Sequence, residues 1–249
     1  AVGTAPGMWF EEAGKIWMSM PGVPHEMKYL MEHEVIPRLK KAYQLPVIYH
    51  KLIRTVGIGE SWLSDKISDW ADKLPDHIRL AYLPSLGEVK LRLTGFGTEQ
   101  DRIVREVEEQ IERLKPLIPQ YIYGYNQETL PVAIGHLLTQ RKETLALAES
   151  CTGGYISHLI TGIAGSSNYF NGGMIPYHNA YKEEVLGVSG EVLAREGAVS
   201  EATVIEMARQ VREKFSASYG LSSSGIAGPG GGTAEKPVGL VWIACHDGS

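Results

Sequence analysis

The sequence predicts an α/β protein. A three-layer α/β domain over 125–249 is preceded by a small α+β module over 46–124 and by the end of another α/β domain over 1–45. Three observations predict it. Strand-like and helix-like stretches alternate from Asn126 onward. The run ALAESCTGGYISHLI, Ala146 to Ile160, breaks off an apolar strand at an acid, a serine, a cysteine, a threonine and two glycines before a helical period begins. The middle of the chain joins an alternating strand to a strongly one-sided helix.

Composition bounds the function classes. The chain has 249 residues, 43% hydrophobic and 21% charged, enough for more than one core. Its apolar runs are far shorter than the roughly 18 residues of a membrane span, and no basic stretch followed by an apolar core opens the chain. No membrane contact and a cytoplasmic location are therefore expected. A net charge of −5 supplies no broad basic field, which disfavours nucleic acid as a partner while leaving room for a local patch. The two cysteines, Cys151 and Cys245, lie far apart without metal-ligand spacing, so reduced thiols are expected.

Over 1–45, Lys15 to Met20 reads as a strand after a turn at Glu12 to Gly14. Pro24 suits the first turn of a helix through Met27, Leu30, Met31 and Val35 that ends near Pro37. A lone strand and helix do not bury a core, so this segment reads as the end of a domain. Over 46–124, Val47 to Val56 reads as a strand and Glu60 to Trp70 as a helix. Glu88 to Thr94 sets Val89, Leu91 and Leu93 against Lys90, Arg92 and Thr94, a half-buried strand. Asp101 to Leu114 places Ile103, Val104, Val107, Ile111 and Leu114 on one helical face, with Asp101 as the expected N-cap. Gly57-Ile58-Gly59 reads as a tight turn rather than a nucleic-acid clamp. His25, His33 and His50 lack ligand spacing and read as surface residues.

Over 125–249, helices are expected at Pro131 to Arg141 and Gly154 to Ile163, and strands at Thr144 to Glu149 and Gly172 to Tyr177. Ser200 caps a helix carrying Val204, Met207, Ala208, Val211 and Phe215; later strands are expected at Leu221 to Ser224 and Val238 to Ala244. In such alternation ligands bind at the carboxyl ends of strands. Three clusters fall there: Glu149-Ser150-Cys151-Thr152-Gly153-Gly154; Tyr177, His178, Asn179 and Lys182; and the glycine-rich Ser223 to Thr233. In the first, glycines admit a ligand to the backbone and a helix start favours an anion. The third suits a phosphate.

LAESCTGG followed by GIAGSS, YHNAYKEEVLGV, GAVSE and SGIAGPGGGTAEKPVG resembles the C-terminal domain of the CinA family, of the PncC type that deamidates nicotinamide mononucleotide. VGTAPGMW and MPGVPHEM resemble the close of that family's N-terminal domain, a MoCF-like fold related to molybdopterin-binding proteins and associated with ADP-ribose pyrophosphatase activity. The middle section resembles its KH-like domain. The family pattern has an earlier GGLGPT stretch and continues past Ser249 with a strand and a terminal helix, so a partial chain lacking its last elements is expected. Pro176 and His178 stand where the family carries small or hydroxyl residues.

The resemblance implies hydrolysis of the nicotinamide mononucleotide carboxamide to nicotinic acid mononucleotide and ammonia, in pyridine nucleotide recycling. The alternatives are an ADP-ribose pyrophosphatase in the full-length chain and a noncatalytic, competence-linked nucleotide-binding protein. No cofactor is expected for the deamidase, and a divalent metal is expected only for the pyrophosphatase. A nucleotide is the expected small-molecule partner, and an exposed sheet edge makes a homodimer the expected assembly.

Amide hydrolysis needs a nucleophile, a base and oxyanion donors. Ser150 is the expected nucleophile and Lys182 its base, with Tyr177 relaying the proton or holding the lysine. Amides near Cys151 and Thr152 would receive the oxyanion. Thr152, Asn179 and the loop with Gly225, Ala227, Gly228, Gly230 and Gly231 would hold the ribose phosphate, and Glu149, Gly153 and Gly154 complete the substrate-binding set. Read singly, Ser150 or Thr152 is a helix cap, Lys182 a solvated lysine and Tyr177 a packed ring. Cys151 with His178 forms a rival thiolate mechanism.

Overall fold

The computed structural model describes residues 5–43 and 45–249. The first three residues of the VGTAPGMW stretch and the one before it, 1–4, therefore lie outside the described residues, as does residue 44. Two compact units divide the chain, Ala1–Ile122 and Tyr123–Ser249.

The first unit opens with a hairpin, β1 (Met8–Glu12) paired antiparallel to β2 (Lys15–Ser19). Its two-residue turn has positive φ at both Ala13 and Gly14, as a type I′ turn requires. A helix comes next in three pieces: α1 (Pro24–Leu30), a π turn (Met31–Val35) and α2 (Ile36–Ala42). Pro37 was expected to end it. Instead the Ile36 amide bonds Met31 O across the π turn, and Pro37 falls in the first turn of α2, where a missing N–H breaks no ladder bond.

The module beyond is built on β3 (Val47–Val56), α3 (Glu60–Ala71), β4 (Ile78–Ser85), β5 (Glu88–Gly97) and α4 (Gln100–Leu114). The strands lie antiparallel in the order β4-β5-β3. Val89, Leu91 and Leu93 are buried with Ile53, as are Leu63 and Ile67 of α3 and Val107, Ile111 and Leu114 of α4, the helix that packs on β3 and β5. At Gly95 the approach of α4 is so close that a Cβ would stand 2.6 Å from Ile103 Cγ2. Asp101 is not the cap expected of it: Glu99 holds that position, and Asp101 lies in the first turn, where its charge still favours the helix dipole. The short β6 (Ile122–Tyr125) contains the division between the units.

The second unit comprises α5 (Leu130–Arg141), β7 (Leu145–Glu149), α6 (Tyr155–Thr161), β8 (Phe170–Met174), α7 (Asn179–Tyr181) running into a π turn (Lys182–Leu186), α8 (Gly190–Glu196), α9 (Glu201–Lys214), β9 (Tyr219–Gly225) and β10 (Val241–His246). Its sheet has the order β10-β9-β7-β8, with β7 parallel to β8 and β9, and β10 antiparallel at the edge. β7 is buried on both faces, which is why it reads as a continuous apolar run. Leu145 and Leu147 pack with Leu138 and Ile160 on one side. Ala146 and Ala148 pack with Leu186, Met207 and Val211 on the other, so helices cover both faces.

Several strand limits differ from expectation: β7 begins at Leu145, β8 begins at Phe170, β9 spans Tyr219–Gly225 and β10 runs on to His246, and two further differences have a local cause. β8 ends at Met174 rather than Tyr177, because Pro176 has no amide for the ladder and the Tyr177 N–H turns back to Ile175 O at 2.8 Å. β10 begins at Val241 rather than Val238, because Leu240 N–H closes a turn onto Pro237 O and Gly239 takes a φ of 92°. Ser200 does cap α9, accepting the Thr203 amide at 3.3 Å.

Candidate active site

Because β7, β8 and β9 are parallel, their carboxyl ends meet at one edge of the sheet and bring together residues far apart in sequence. Glu149, last in β7, pairs with Ser223 of β9. The Ser150 amide carries the ladder one step further, donating to Ser223 O at 2.9 Å. The chain then turns through 151–154 with Gly153 and Gly154 in left-handed conformations. A side chain at Gly154 would also strike Ile175, 2.7 Å away, so the strand end and the helix start touch there.

Lys182 is nearly fully buried, 1% exposed, at the junction of α7 and the π turn. Its Nζ donates to Ser150 Oγ at 3.1 Å, Pro176 O at 2.9 Å and Tyr177 O at 3.2 Å. No carboxylate is among these partners. Burial pushes the Lys182 ammonium below the usual lysine range, with a Cys151 thiolate acting in the opposite sense. A neutral amine here would give its two N–H bonds to the two carbonyls and turn its lone pair to the serine hydroxyl. That is the geometry in which an amine can activate a hydroxyl.

The helix start of α6, expected to present free amides to a ligand anion, is filled from within. The Glu149 carboxylate, 1% exposed, accepts from Gly154 N, Ile156 N, Ser157 N, Ser157 Oγ and Thr152 Oγ1 at 2.7–3.1 Å. Burial raises its pKa, but the bonds from Ser157, Thr152 and the helix amides outweigh it, leaving the carboxyl below the usual range. Thr152 also meets Ser223 Oγ at 2.8 Å. The amides of Cys151 and Thr152, by contrast, meet no acceptor among the described residues.

Tyr177 reaches Lys182 through its carbonyl, while its ring is 70% exposed. His178 caps α7, its Nδ1 accepting from Ala180 N, and its ring meets Tyr181; no hydrogen bond joins it to Cys151. Asn179 is the exposed first residue of α7. Gly225 ends β9 at the same edge, and Ala227, Gly228, Gly230 and Gly231 come after it in an exposed loop with no hydrogen bond to Ser150 or Lys182. Sequence reasoning missed Ser157 and the two carbonyls, and it placed Ser223 in a strand-end cluster without its bonds to Thr152 and the Ser150 amide. A main-chain oxygen has no residue-type signature, and Ser157, the third residue of α6, reads in the sequence as an ordinary helical serine. Among the described residues no group of three or more histidine, cysteine or acidic side chains is placed to hold a metal ion, and no helix is long and apolar enough to cross a membrane.

The family model for the CinA C-terminal domain matches residues 127–249, and that for the damage-inducible protein CinA KH domain matches 50–124. The chain belongs to the CinA family. A CinA-like protein of Cytophaga hutchinsonii is 50% identical over 247 residues, covering 99% of this chain and 59% of its own length. A putative competence-damage inducible protein of Halothermothrix orenii is 48% identical, covering 97% of this chain and 58% of its own. This CinA-family chain thus spans about three-fifths of the curated relatives it matches. Among solved structures, the competence/damage inducible protein CihA of Agrobacterium tumefaciens is 43% identical, covering 49% of this chain and 73% of its own, with a TM-score of 0.48.

Proposed function

We propose that the second unit is an amidohydrolase that cleaves the carboxamide of nicotinamide mononucleotide, with Ser150 as nucleophile and Lys182 as base. The observation that carries this reading is the buried Lys182 Nζ, 3.1 Å from Ser150 Oγ and held by two main-chain carbonyls with no carboxylate among its partners. Lys182 takes the serine proton as Oγ attacks the carboxamide carbon. The oxyanion is received by the unpaired amides of Cys151 and Thr152. Protonated Lys182 then returns the proton to the departing ammonia, and the acyl-serine is released by a water that the same amine activates. Asn179 and the loop with Gly225, Ala227, Gly228, Gly230 and Gly231 border this edge and are the groups proposed to take the ribose phosphate. Membership of the CinA family, and the PncC-like motifs that carry Ser150 and Lys182, support the choice of substrate.

The test is ammonia release from nicotinamide mononucleotide by wild type, Ser150→Ala and Cys151→Ser. Loss in the serine variant alone is expected, by about 10³-fold or more, since the nucleophile itself is removed. Loss only in the cysteine variant would replace the serine mechanism with a thiolate one. Ammonia release by none of the three would overturn the reading.

A further inference from the structure

The Glu149 carboxylate has no capacity left for a ligand. A carboxylate offers about four lone-pair sites, and five donors already address them: Thr152 Oγ1, Gly154 N and Ile156 N at Oε2, and Ser157 N and Oγ at Oε1. Each donor belongs to the turn after Ser150 or to the first residues of α6. Thr152 spends its proton on Glu149 and therefore accepts from Ser223 Oγ, while Ser223 O takes the Ser150 amide. These bonds close a ring through Glu149, Thr152, Ser223 and Ser150.

From this closed ring we infer that Glu149 is a positioning residue: it acts through Ser150, fixing the turn that carries the nucleophile and the Cys151 and Thr152 amides. The inference rests on the proposed reading of Ser150 as the nucleophile. It also reassigns Glu149 from the substrate-binding set. A substrate anion gains nothing at the start of α6, because the amides it would use are held by a fixed negative charge. A displacement of about 1 Å in a reacting group costs on the order of 10²-fold in rate. The carboxylate therefore controls turnover rather than ligand affinity.

Two readouts on wild type, Glu149→Gln and Ser157→Ala test this. One is steady-state ammonia release from nicotinamide mononucleotide. The other is labelling of Ser150 by a fluorophosphonate, in which an Oγ–P bond forms, fluoride leaves and the serine proton passes to Lys182. The expected result is a kcat about 10²-fold lower in Glu149→Gln, a smaller fall in Ser157→Ala, KM unchanged in both, and labelling slowed in the same order. Ser157→Ala removes one donor without burying an unpaired charge, so it decides the matter should Glu149→Gln not fold. A raised KM at unchanged kcat would make Glu149 a substrate contact and overturn the inference, as would labelling at the wild-type rate. If wild type is labelled at Ser150 yet releases no ammonia, the substrate reading fails while the labelling rates still judge Glu149. No labelling of wild type would sink both.

Discussion

Replacing Lys182 with methionine separates catalysis from stability. In the folded protein burial lowers the Lys182 pKa, while in the unfolded chain it returns to about the ordinary 10.5. Between those two values the unfolded state binds the extra proton, so the wild type gains stability as pH rises through that window. Below it, the cost of burying the ammonium is borne in full. The slope approaches about 1.4 kcal/mol per pH unit for one proton. Lys182→Met has no such proton and should show none of that slope. The stability difference, wild type minus variant, must therefore rise with pH across the window, whatever the fixed cost of leaving Pro176 O and Tyr177 O without their donor. Urea unfolding at a series of pH values up to 10.5 measures it, best in a Cys151→Ser background, because the neighbouring thiolate acts in the opposite sense. In parallel, kcat for ammonia release should fall by about 10²- to 10⁴-fold, the usual contribution of a general base. A stability difference that stays flat with pH would mean an ordinary lysine pKa in the folded state, and the neutral-amine base would be refuted.

Three further outcomes rest on packing and charge. Glu149, with its carboxyl below the usual range, contributes stability that is present above the unfolded carboxyl pKa and is lost as pH falls through its folded value; Glu149→Gln should unfold with a shallower dependence on pH below the ordinary carboxyl value of 4.5, measured by circular dichroism, and an identical dependence would contradict the assignment. Gly95→Ala places a methyl 2.6 Å from Ile103 Cγ2 and 2.8 Å from Val107 Cγ2, both on buried side chains, and should cost about 1–3 kcal/mol in urea unfolding. Leu147→Ala, in a strand buried on both faces, should cost about 2–5 kcal/mol and lower the unfolding midpoint of the second unit; a loss under about 1 kcal/mol would mean that the site collapses around the cavity.

How much was legible in the sequence depends on how far each signal reaches along the chain. β3 matches its expected span of Val47–Val56, and β5 shows its alternation because one face is buried and the other is not. β1, β4 and β6 gave no such pattern. β4 carries Pro84 near its end and mixes half-buried positions on both faces, which an edge strand tolerates and a periodicity test does not reward. In the site, Ser150 and Lys182 stood out through motifs, yet their 3.1 Å contact spans 32 positions and depends on parallel strands ending at one edge. The partners that define their chemistry, the carbonyls of Pro176 and Tyr177 and the inward turn of Glu149, are matters of backbone path. Composition is blind to them.

The π turn that begins at Lys182 has a consequence for how this protein tolerates change in length. Gly187 and Val188 both donate to Lys182 O, so the turn holds one residue more than an α-helical turn would. Deleting a single residue within 183–186 would let the backbone relax to an ordinary turn, rotating the segment before it by about 100° about the helix axis relative to the segment after it. The lysine would then leave the serine although no residue named in the chemistry had been altered. At the exposed Glu183, Glu184 and Val185 the protein should accept substitutions far better than a change in count, so a library of single-residue deletions should find a sharp loss of turnover there.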